Sequence, residues 1–377
     1  MSTRLPPPLT GLKVVELARI LAGPWAGQLL SDLGAEVVKV ESPAGDDTRA
    51  WGPPFIDNPD GSRDAAYFHA ANRGKRSVVA DFRDPAGRAT VRALAAGADV
   101  LIENFKLGGL ASHGLSPDEL RALNPRLVTC SITGFGQTGT WASRPGYDFV
   151  VQGLSGMMDL TGEPDGPPQK IGVALADIIT GLYATVAIQA ALRQREATGR
   201  GQHIDMSLMD CMTGVLANQA LNTLAGRPAT RMGNHHPNIA PYSTFPVSDG
   251  WIILAVGNDR QFAALCALLG LPLAGDQRFA TNAARIGNRA ALTAALEGAT
   301  RAWTRENLLA ACEAAGVPAG PINTVADALA SPPIVERGLV LAMERDGGPP
   351  VPGIATPIRF SEATLAEPGP APMLDHS

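Results

Sequence analysis

The sequence predicts an α/β fold with a large domain, built on a mainly parallel sheet covered by helices, and a smaller α+β domain. Two observations carry this prediction. Runs of alternating apolar residues are separated by segments of helical spacing through residues 12–133. The composition then changes after residue 224 to a hairpin signal followed by helices. Strands that alternate with helices are usually parallel, because each helix carries the chain back across the sheet.

The first strand, helix and strand form the clearest unit. Residues 12–17 (LKVVEL) are typical of a buried strand, residues 24–33 keep small and apolar side chains on one helical face, and residues 36–41 (EVVKVE) indicate a second strand. This is the pattern of a β-α-β unit with a short connection. The same alternation predicts strands at 76–81, 99–103 and 126–133, and helices at 85–96 and 117–123, the last capped by Ser116.

Two long helices are expected next, over residues 177–197 and 204–223, because apolar residues recur at helical spacing. In the smaller domain, residues 242–246 and 251–256 flank Ser248-Asp249-Gly250, which is a hairpin signal. Helices are predicted at 261–269, 289–299 and 305–315. We therefore expect residues 1–224 and 325–377 to form the large domain and residues 225–324 the small one.

Composition and charge exclude several classes of function. The net charge is −5, so no overall basic field would attract nucleic acid. The four cysteines are far apart and form no CxxC pair, which argues against a disulfide scaffold and against structural zinc. The N-terminus lacks a secretory pattern, and no run of 18 apolar residues predicts a membrane span. The expectation is a cytoplasmic enzyme or binding protein with no membrane partner.

Several segments could bind an anionic ligand. The turn after the first strand, residues 18–24, has one glycine and therefore lacks the GxGxxG pattern of a dinucleotide site. Asn104, Phe105 and Lys106 follow a strand end and could contact adenine or pantetheine, although, taken alone, the segment is explained better by a capping Asn and a core Phe. Basic residues at 73, 75, 76 and 83 form either a phosphate-binding patch or a solvated turn.

Asp177 is the most informative residue. It follows an apolar run and opens a predicted long helix, so it could be a helix N-cap, which typically contributes ~1 kcal/mol. Backbone N–H groups and the helix dipole would also hold a carboxylate there in its ionised form. Such a carboxylate could attack a thioester. His235 and His236 are adjacent in an extended loop and would point apart, so a metal site is not expected.

Together these segments resemble CoA-transferase family III (CaiB/BaiF). The matching stretches are residues 12–17 with 19–24, LGAEVVKVE (33–41), GDDTR (45–49), NRGKRS (72–77), ENF (103–105), GFGQTG (134–139), PGYD (145–148), GRGQ (199–202) and AGVPAGPIN (315–323). The resemblance implies a Rossmann-like large domain made from both chain ends, a small domain from the middle, and an interlocked homodimer.

The resemblance also implies a mechanism and a set of site residues. Asp177 matches the catalytic aspartate, which would carry the acyl group as a mixed anhydride and then CoA as a thioester, with no metal and no permanently bound cofactor. Acyl-CoA and a small carboxylic acid would be the substrates. Gly233, Asn234 and His235 match a loop that covers the acyl intermediate. The implied CoA contacts are Leu21, Ala22, Ala80, Arg83, Asn104, Phe105, Lys106, Tyr147 and Asp148.

Alternative functions stay open at this point. A 2-methylacyl-CoA racemase of the same fold would need a base where Tyr147 stands, and tyrosine is a poor base because its pKa is ~10. A CoA-binding protein without catalysis would use Asp177 only as a cap, and a nucleotide-dependent oxidoreductase lacks its glycine fingerprint. Residues 46–55 and 257–262 look most like family members that use dicarboxylates, of the succinyl-CoA:glutarate type. Arg49, or a group near His235, could bind the second carboxylate.

Overall fold

The computed structural model describes residues 4–375. The strands, in chain order, are β1 (Lys13–Glu16), β2 (Glu36–Glu41), β3 (Phe55–Asp57), β4 (Arg63–Ala65), β5 (Arg76–Val79), β6 (Val100–Glu103), β7 (Val128–Thr133), β8 (His203–Ser207), β9 (Tyr242–Val247), β10 (Gly250–Ala255), β11 (Ala319–Pro321), β12 (Val340–Met343) and β13 (Val351–Ile354).

The helices are α1 (Ala22–Asp32), α2 (Ala66–Asn72), α3 (Pro85–Ala96), α4 (Pro117–Leu123), α5 (Asp148–Leu154), α6 (Met157–Leu160), α7 (Leu175–Thr198), α8 (Leu208–Val215), α9 (Ala217–Leu224), α10 (Asp259–Leu268), α11 (Asn282–Gly287), α12 (Arg289–Thr300), α13 (Arg305–Ala314), α14 (Val325–Leu329) and α15 (Pro332–Glu336). Short 3-10 turns lie at Asp47–Ala50, Ala111–His113 and Pro272–Gly275.

The chain divides into two compact units. The first holds residues up to 157, then 171–217 and 332 onward, and the second holds 158–170 and 218–331. The sequence placed the small domain at 225–324, inside this second unit. The added segment 158–170 belongs to the second unit because the Arg231 guanidinium pairs with Asp159 at 3.3 Å and the Gly233 N–H donates to the Gly162 carbonyl at 3.1 Å.

The first unit is built on a six-stranded sheet in the order β5-β2-β1-β6-β7-β8, with all neighbours parallel. This confirms the predicted large parallel sheet. In chain order the strands run 3-2-1-4-5-6, so the direction of winding reverses between β1 and β6. Open α/β sheets bind ligands outside the carboxyl ends of the two strands at such a reversal. The turns after Glu16 and Glu103 therefore mark the expected site.

Helices cover both faces of this sheet, and the alternation within β1 shows how. Val14 packs in a cluster with Leu30 of α1 and Ile188 of α7, whereas Val15 packs with Val91 of α3. Successive side chains of a strand point to opposite faces, so a strand buried on both sides reads as an unbroken apolar run. Buried charged residues at two strand ends are the exception, because Glu16 pairs with Lys39 at 3.1 Å and Glu41 pairs with Arg49 at 2.7 Å.

The predicted helix over residues 204–223 is wrong. Residues His203–Ser207 instead form β8, which pairs with β7 in register Cys130↔Ile204. Ser207 then caps α8 by accepting a hydrogen bond from the Asp210 N–H at 3.2 Å. A second helix, α9, begins at Ala217, whose φ of 45° breaks the helical path. Residues 203–207 form a strand despite their helical spacing, because they pair with the open edge of β7.

Helix α7 is the longest helix of the first unit. It ends at Gly199, which adopts a φ of 72° that an L-residue rarely takes, and whose N–H donates to the Arg195 carbonyl. By length and composition alone α7 could cross a membrane, which is weak evidence because core helices pass the same test. Ala184, Ile188 and Leu192 bury its inner face in the core of the first unit.

The second unit has its own core. Strands β9, β10 and β11 form an antiparallel sheet in the order β11-β10-β9, and the hairpin predicted around Ser248 joins the first two. Helices α10, α12 and α13 pack on it around a buried cluster that includes Phe245, Leu265 and Leu296. This arrangement is the α+β unit expected from the sequence.

The last chain segment closes the first unit. The Gly74 N–H donates to the Gly369 carbonyl at 3.0 Å, and the Leu5 N–H donates to the Glu362 carbonyl at 2.8 Å. Arg49 Nη2 also donates to the Pro372 carbonyl at 3.1 Å. Residues from both chain ends thus complete one structural unit.

Candidate active site

Asp177 lies in the first turn of α7, but it is not the helix cap. Ala174 occupies the N-cap position, and no side chain of the capping residue closes the helix. The cap comes from Asp148, whose Oδ1 accepts hydrogen bonds from the N–H groups of Ala176 at 2.7 Å and Asp177 at 3.4 Å. The capping interpretation of Asp177 is therefore wrong. Among residues 4–375, no group donates a hydrogen bond to its carboxylate.

The charge state of Asp177 also differs from the expectation. Burial raises its pKa, and the neighbouring Asp148 carboxylate raises it further, to about 7. The sequence suggested that backbone N–H groups and the helix dipole would favour the ionised form. Here those N–H groups are occupied by Asp148, which adds a second negative charge instead. The result is a carboxyl group that changes charge near neutral pH, as is common at functional sites.

Tyr67 joins this pair, and sequence reasoning missed it. The Tyr67 ring lies edge-on to Trp51, with the ring centroids 5.3 Å apart. Burial raises the pKa of Tyr67 to about 12, with further contributions from the charges of Asp177, Asp148 and Asp46. The phenol therefore stays protonated at neutral pH. No motif signals it, because it belongs to the short helix α2 after the unpredicted β3–β4 hairpin.

The turn between β1 and α1 approaches the same place. Gly181 lies one helical turn beyond Asp177 on the same face of α7. A Cβ atom at Gly181 would lie 2.7 Å from the Ala22 carbonyl oxygen and 3.0 Å from Trp25 Cβ, so glycine permits close contact between α7 and α1. Leu21 is the N-cap of α1 and offers no capping side chain. The structure thus brings Ala22, the residue after Leu21, to the same face of α7 as Asp177.

Four of the predicted CoA contacts are uncharged residues outside the first turn. Ala80 is buried after β5, and Phe105 is half-buried after β6 with its ring 5.8 Å from that of Phe82, so both lie at the carboxyl edge of the sheet. Asn104 is engaged, since its side chain accepts from the Arg19 N–H at 2.9 Å and donates to the Arg19 carbonyl at 2.7 Å. Tyr147 is 65% exposed beside Asp148.

Two predicted cations differ in their surroundings. The Arg83 side chain is exposed and paired with Asp81 at 2.7 Å. Lys106 lines a cavity of about 210 Å³ together with Phe105, Gln137 and His203. Lys106 borders a cavity and the charge of Arg83 is matched by Asp81, so Lys106 is the better placed of the two to meet a ligand.

The proposed basic patch does not exist as a surface. Arg73 is buried and forms a bidentate pair with Asp32, and Lys75 is buried against Glu16 at 2.8 Å. Arg76 alone of the first three is exposed. The strand pattern could not show this, because the carboxylate partners lie 41 and 59 positions earlier in the chain.

Arg49 is likewise unavailable to a substrate. Its guanidinium is buried, donates to both oxygens of Glu41 at 2.9 and 2.7 Å, and pairs with Asp64 at 3.0 Å. The guanidinium carbon also lies 3.8 Å from the centroid of the Phe68 ring. Two carboxylates already neutralise this guanidinium, so it is not available to pair with the distal carboxylate of a substrate. The suggestion that Arg49 binds one is wrong.

The predicted substrate loop belongs to the second unit. Gly233 has a φ of 57°, and a Cβ there would lie 3.1 Å from Glu163 Oε2. Asn234 Nδ2 donates to Thr244 Oγ1 at 3.2 Å, and the His235 N–H donates to the Met232 carbonyl. Burial lowers the pKa of His235, and the charge of Arg289 lowers it further. The described residues contain no cluster of three or more His, Cys, Asp or Glu suited to a metal ion.

Comparisons with known proteins identify the family of this chain. The profile of CoA-transferase family III matches residues 9–377. A succinate–glutarate CoA-transferase of Agrobacterium fabrum is 55% identical, over 98% of this chain and 93% of its own length. The succinyl-CoA:glutarate CoA-transferase of Homo sapiens is 41% identical, over 97% and 83%.

A solved structure gives the same result. The crystal structure of a CAIB/BAIF family protein from Brucella suis superposes with a TM-score of 0.88 at 63% identity, covering 98% of this chain and 97% of that one. Of the functions weighed from the sequence, these relatives support transfer of CoA rather than racemisation, passive binding or redox chemistry. The chain therefore belongs to CoA-transferase family III and is an enzyme that transfers CoA.

Proposed function

We propose that this enzyme exchanges CoA between succinyl-CoA and a C4–C6 dicarboxylic acid, with Asp177 as the nucleophile. The names of the matched relatives support this class of substrates. The observation that carries the proposal is the Asp177 carboxylate, which lies at the start of α7 with no hydrogen-bond donor among residues 4–375. Asp148 already satisfies the first N–H groups of that helix, so Asp177 is free to attack.

The first half of the proposed reaction moves the acyl group. A carboxylate oxygen of Asp177 attacks the thioester carbonyl of the acyl-CoA donor, and the C–S bond breaks to release CoA thiolate. This leaves a mixed anhydride between Asp177 and the acyl group. The thiolate then attacks the aspartyl carbonyl, which releases the donor as a free carboxylate and leaves an aspartyl-CoA thioester.

The second half runs the same steps in reverse with a new acid. The acceptor carboxylate attacks the aspartyl thioester carbonyl, and CoA thiolate leaves again. The thiolate attacks the acceptor carbonyl of the new anhydride, which releases Asp177 as a carboxylate and forms the product thioester. Every intermediate is an activated acyl group and no net proton is transferred, so the exchange conserves the thioester free energy.

The surroundings of Asp177 support this chemistry. Each attack places negative charge on a former carbonyl oxygen, and a fixed donor that faces this oxygen lowers the barrier. Tyr67 is one candidate donor, because its raised pKa of about 12 keeps the phenol protonated and the charge of Asp177 contributes to that rise. The N–H groups that begin α1 are a second source, since no capping side chain covers them. The pKa of Asp177, about 7, leaves a large ionised fraction at neutral pH.

Peptide mass spectrometry after incubation with succinyl-CoA and no acceptor tests the proposal. We expect CoA attached to Asp177 and its conversion to a hydroxamate by hydroxylamine. Asp177→Asn should form no adduct and lose at least ~10³-fold in transfer rate. Asp210→Asn is the matched control, because Asp210 lies in the first turn of the neighbouring helix α8. An enzyme that turns over while Asp177 stays unlabelled would contradict the proposal.

We also propose that the chain works as a homodimer, interlocked as the family resemblance implies. Exposed apolar side chains on neighbouring helices support this, namely Phe149, Val150 and Leu154 of α5 and Leu182 and Val186 of α7. Apolar surface of this kind is usually covered by a partner. Sedimentation should give twice the chain mass of 39.2 kDa. Interlocking further predicts that tagged and untagged subunits do not exchange without unfolding, and a freely exchanging or monomeric enzyme would contradict it.

We place the enzyme in the cytoplasm. Its four cysteines are free and buried, as expected in a reducing compartment. Fractionation of cells that produce the tagged protein would test this placement, and recovery with a secreted or membrane fraction would oppose it.

A further inference from the structure

The turn between β1 and α1 contains an unusual backbone conformation at Ile20. Its φ is 71°, in the left-handed region. A β-branched residue is a genuine outlier there, because its Cβ crowds the following carbonyl. Such strain persists only where the surrounding structure holds it, and it is typical of functional sites. A side chain from outside the turn holds Ile20 in this conformation.

Asp46 holds the strained residue directly. Both of its carboxylate oxygens lie 3.3 Å from the Ile20 nitrogen and accept from its N–H. Asp46 is itself fixed, because it also accepts from the Thr48 N–H at 3.0 Å and from Thr48 Oγ1 at 2.8 Å. Lys39 Nζ lies 2.9 Å from Asp46 Oδ2, and both side chains are completely buried. The carboxylate has no freedom to move away from the turn.

The two preceding residues are held as well. Lys39 Nζ donates to the Ala18 carbonyl at 2.9 Å, and Glu16 Oε1 accepts from the same ammonium at 3.1 Å. Asn104 binds both the N–H and the carbonyl of Arg19. Three consecutive residues of the turn are therefore each fixed by a different side chain. These side chains come from β2, from the segment after β2 and from the segment after β6, so the turn keeps its shape independently of any ligand.

The fixed turn leads straight into the face that approaches Asp177. Leu21 and Ala22 follow Ile20, and the Ala22 carbonyl meets α7 at Gly181, one turn along from Asp177. The direction of the chain at residue 20 determines where the first N–H groups of α1 point. A substrate that binds these groups gains affinity if they are already in place, because no ordering cost remains.

The geometry points to Asp46, supported by Lys39, as a positioning residue that holds Ile20 in its left-handed conformation so that the start of α1 is preorganised for acyl-CoA. This inference rests on the proposed function, in which Leu21 and Ala22 contact CoA. Asp46 would touch no substrate atom itself. Its effect would appear in the affinity for the thioester and not in the affinity for the free acid.

Asp46→Asn and Asp46→Glu test the inference by steady-state kinetics. The amide loses the charge that Lys39 holds, and Glu keeps the charge but displaces the carboxylate from the Ile20 N–H. For both variants the KM for succinyl-CoA should rise by about tenfold or more while the KM for the free acid changes less than about threefold. Should the Asn variant not fold, the Glu variant carries the test.

A second substitution separates positioning from general stability. Ile20→Gly removes the steric reason for the clamp, because glycine adopts positive φ without strain. We expect Ile20→Gly to restore at least about half of the loss in kcat/KM, on a logarithmic scale, when combined with Asp46→Asn. Asp64→Asn is the control, because it also removes a buried carboxylate. Asp64 pairs with Arg49 and does not contact the turn. The control variant should lower the melting temperature without a selective rise in the KM for succinyl-CoA, and Ile20→Gly should not correct it.

The outcomes distinguish this inference from the proposed function. If the unaltered enzyme forms the Asp177 adduct but neither Asp46 variant changes the KM for succinyl-CoA, the positioning role is overturned and the proposed function stands. The same holds if Ile20→Gly restores nothing. If the unaltered enzyme forms no adduct, the proposed function fails first.

Discussion

The substitution Asp148→Asn should move the pH dependence of catalysis downward. Asparagine keeps the shape of the side chain, and its oxygen can still accept from the Ala176 N–H, so the cap of α7 is preserved. What disappears is the negative charge beside Asp177. That charge is the second cause, after burial, of the raised pKa of Asp177.

The size of the effect follows from the pKa of about 7 against an ordinary value of 3.8. The difference is about 3 pH units, or about 4 kcal/mol against the ionised form at 1.36 kcal/mol per unit. Because burial is the larger cause, loss of the Asp148 charge should lower the pKa of Asp177 by less than half of this difference, about 1 pH unit. The ionised fraction at pH 6 would then rise from about one tenth to about one half.

The assay is kcat/KM for succinyl-CoA measured from acid to alkaline pH, which reports ionisation of the free enzyme. The acid limb should move from near pH 7 to near pH 6. The plateau should fall, since a less basic carboxylate is a weaker nucleophile. Gln152 also loses its bond to Asp148 Oδ2, so the variant should be less stable by about 1 kcal/mol. A limb that stays in place or moves up would refute the electrostatic account, and Asp210→Asn should leave it unmoved.

Three further outcomes are expected. Because the folded pKa of Asp177 is raised, its contribution to stability is present below pH 4 and lost as pH rises through about 7; denaturant unfolding of Asp177→Asn should lack this decline, which is at most about 4 kcal/mol. Gly181→Ala should cut kcat/KM by at least about tenfold, since the new Cβ would meet the Ala22 carbonyl and Trp25; unchanged kinetics would contradict the close contact. Arg289→Gln should raise KM about tenfold for diacids but not for monocarboxylates, because this half-buried cation of the second unit has no carboxylate partner within residues 4–375; equal effects on both acids would refute it.

Much of the sheet was predictable because its strands are short apolar runs at regular intervals. The β1-α1-β2 unit and the strands β5, β6 and β7 were read from local periodicity alone. Strand β8 was not, because residues 203–207 are partly apolar and continue into a helix, and only the unpaired edge of β7 decides their conformation. A local pattern cannot report a pairing partner that lies 74 positions away in the chain.

The site was less predictable than the fold, for the same reason. Asp177 could be singled out by its place before a helix, yet the cap of that helix comes from Asp148, 29 positions earlier. The raised pKa of Asp177 depends first on burial and second on Asp148. Tyr67 carries no sequence signal at all. Arg49 and Arg73 looked like ligand-binding cations because their buried partners are invisible in a linear pattern. Pairing between distant charges therefore accounts for most of the errors.

The return of the final residues to the first unit has a consequence for biosynthesis. The Gly74–Gly369 and Arg49–Pro372 contacts join residues that lie 295 and 323 positions apart in the chain. Contacts of such long sequence separation form late, because closing the intervening loop costs entropy before any contact rewards it. Because the second unit is inserted between these residues, it can fold during synthesis before the contacts of Gly369 and Pro372 form.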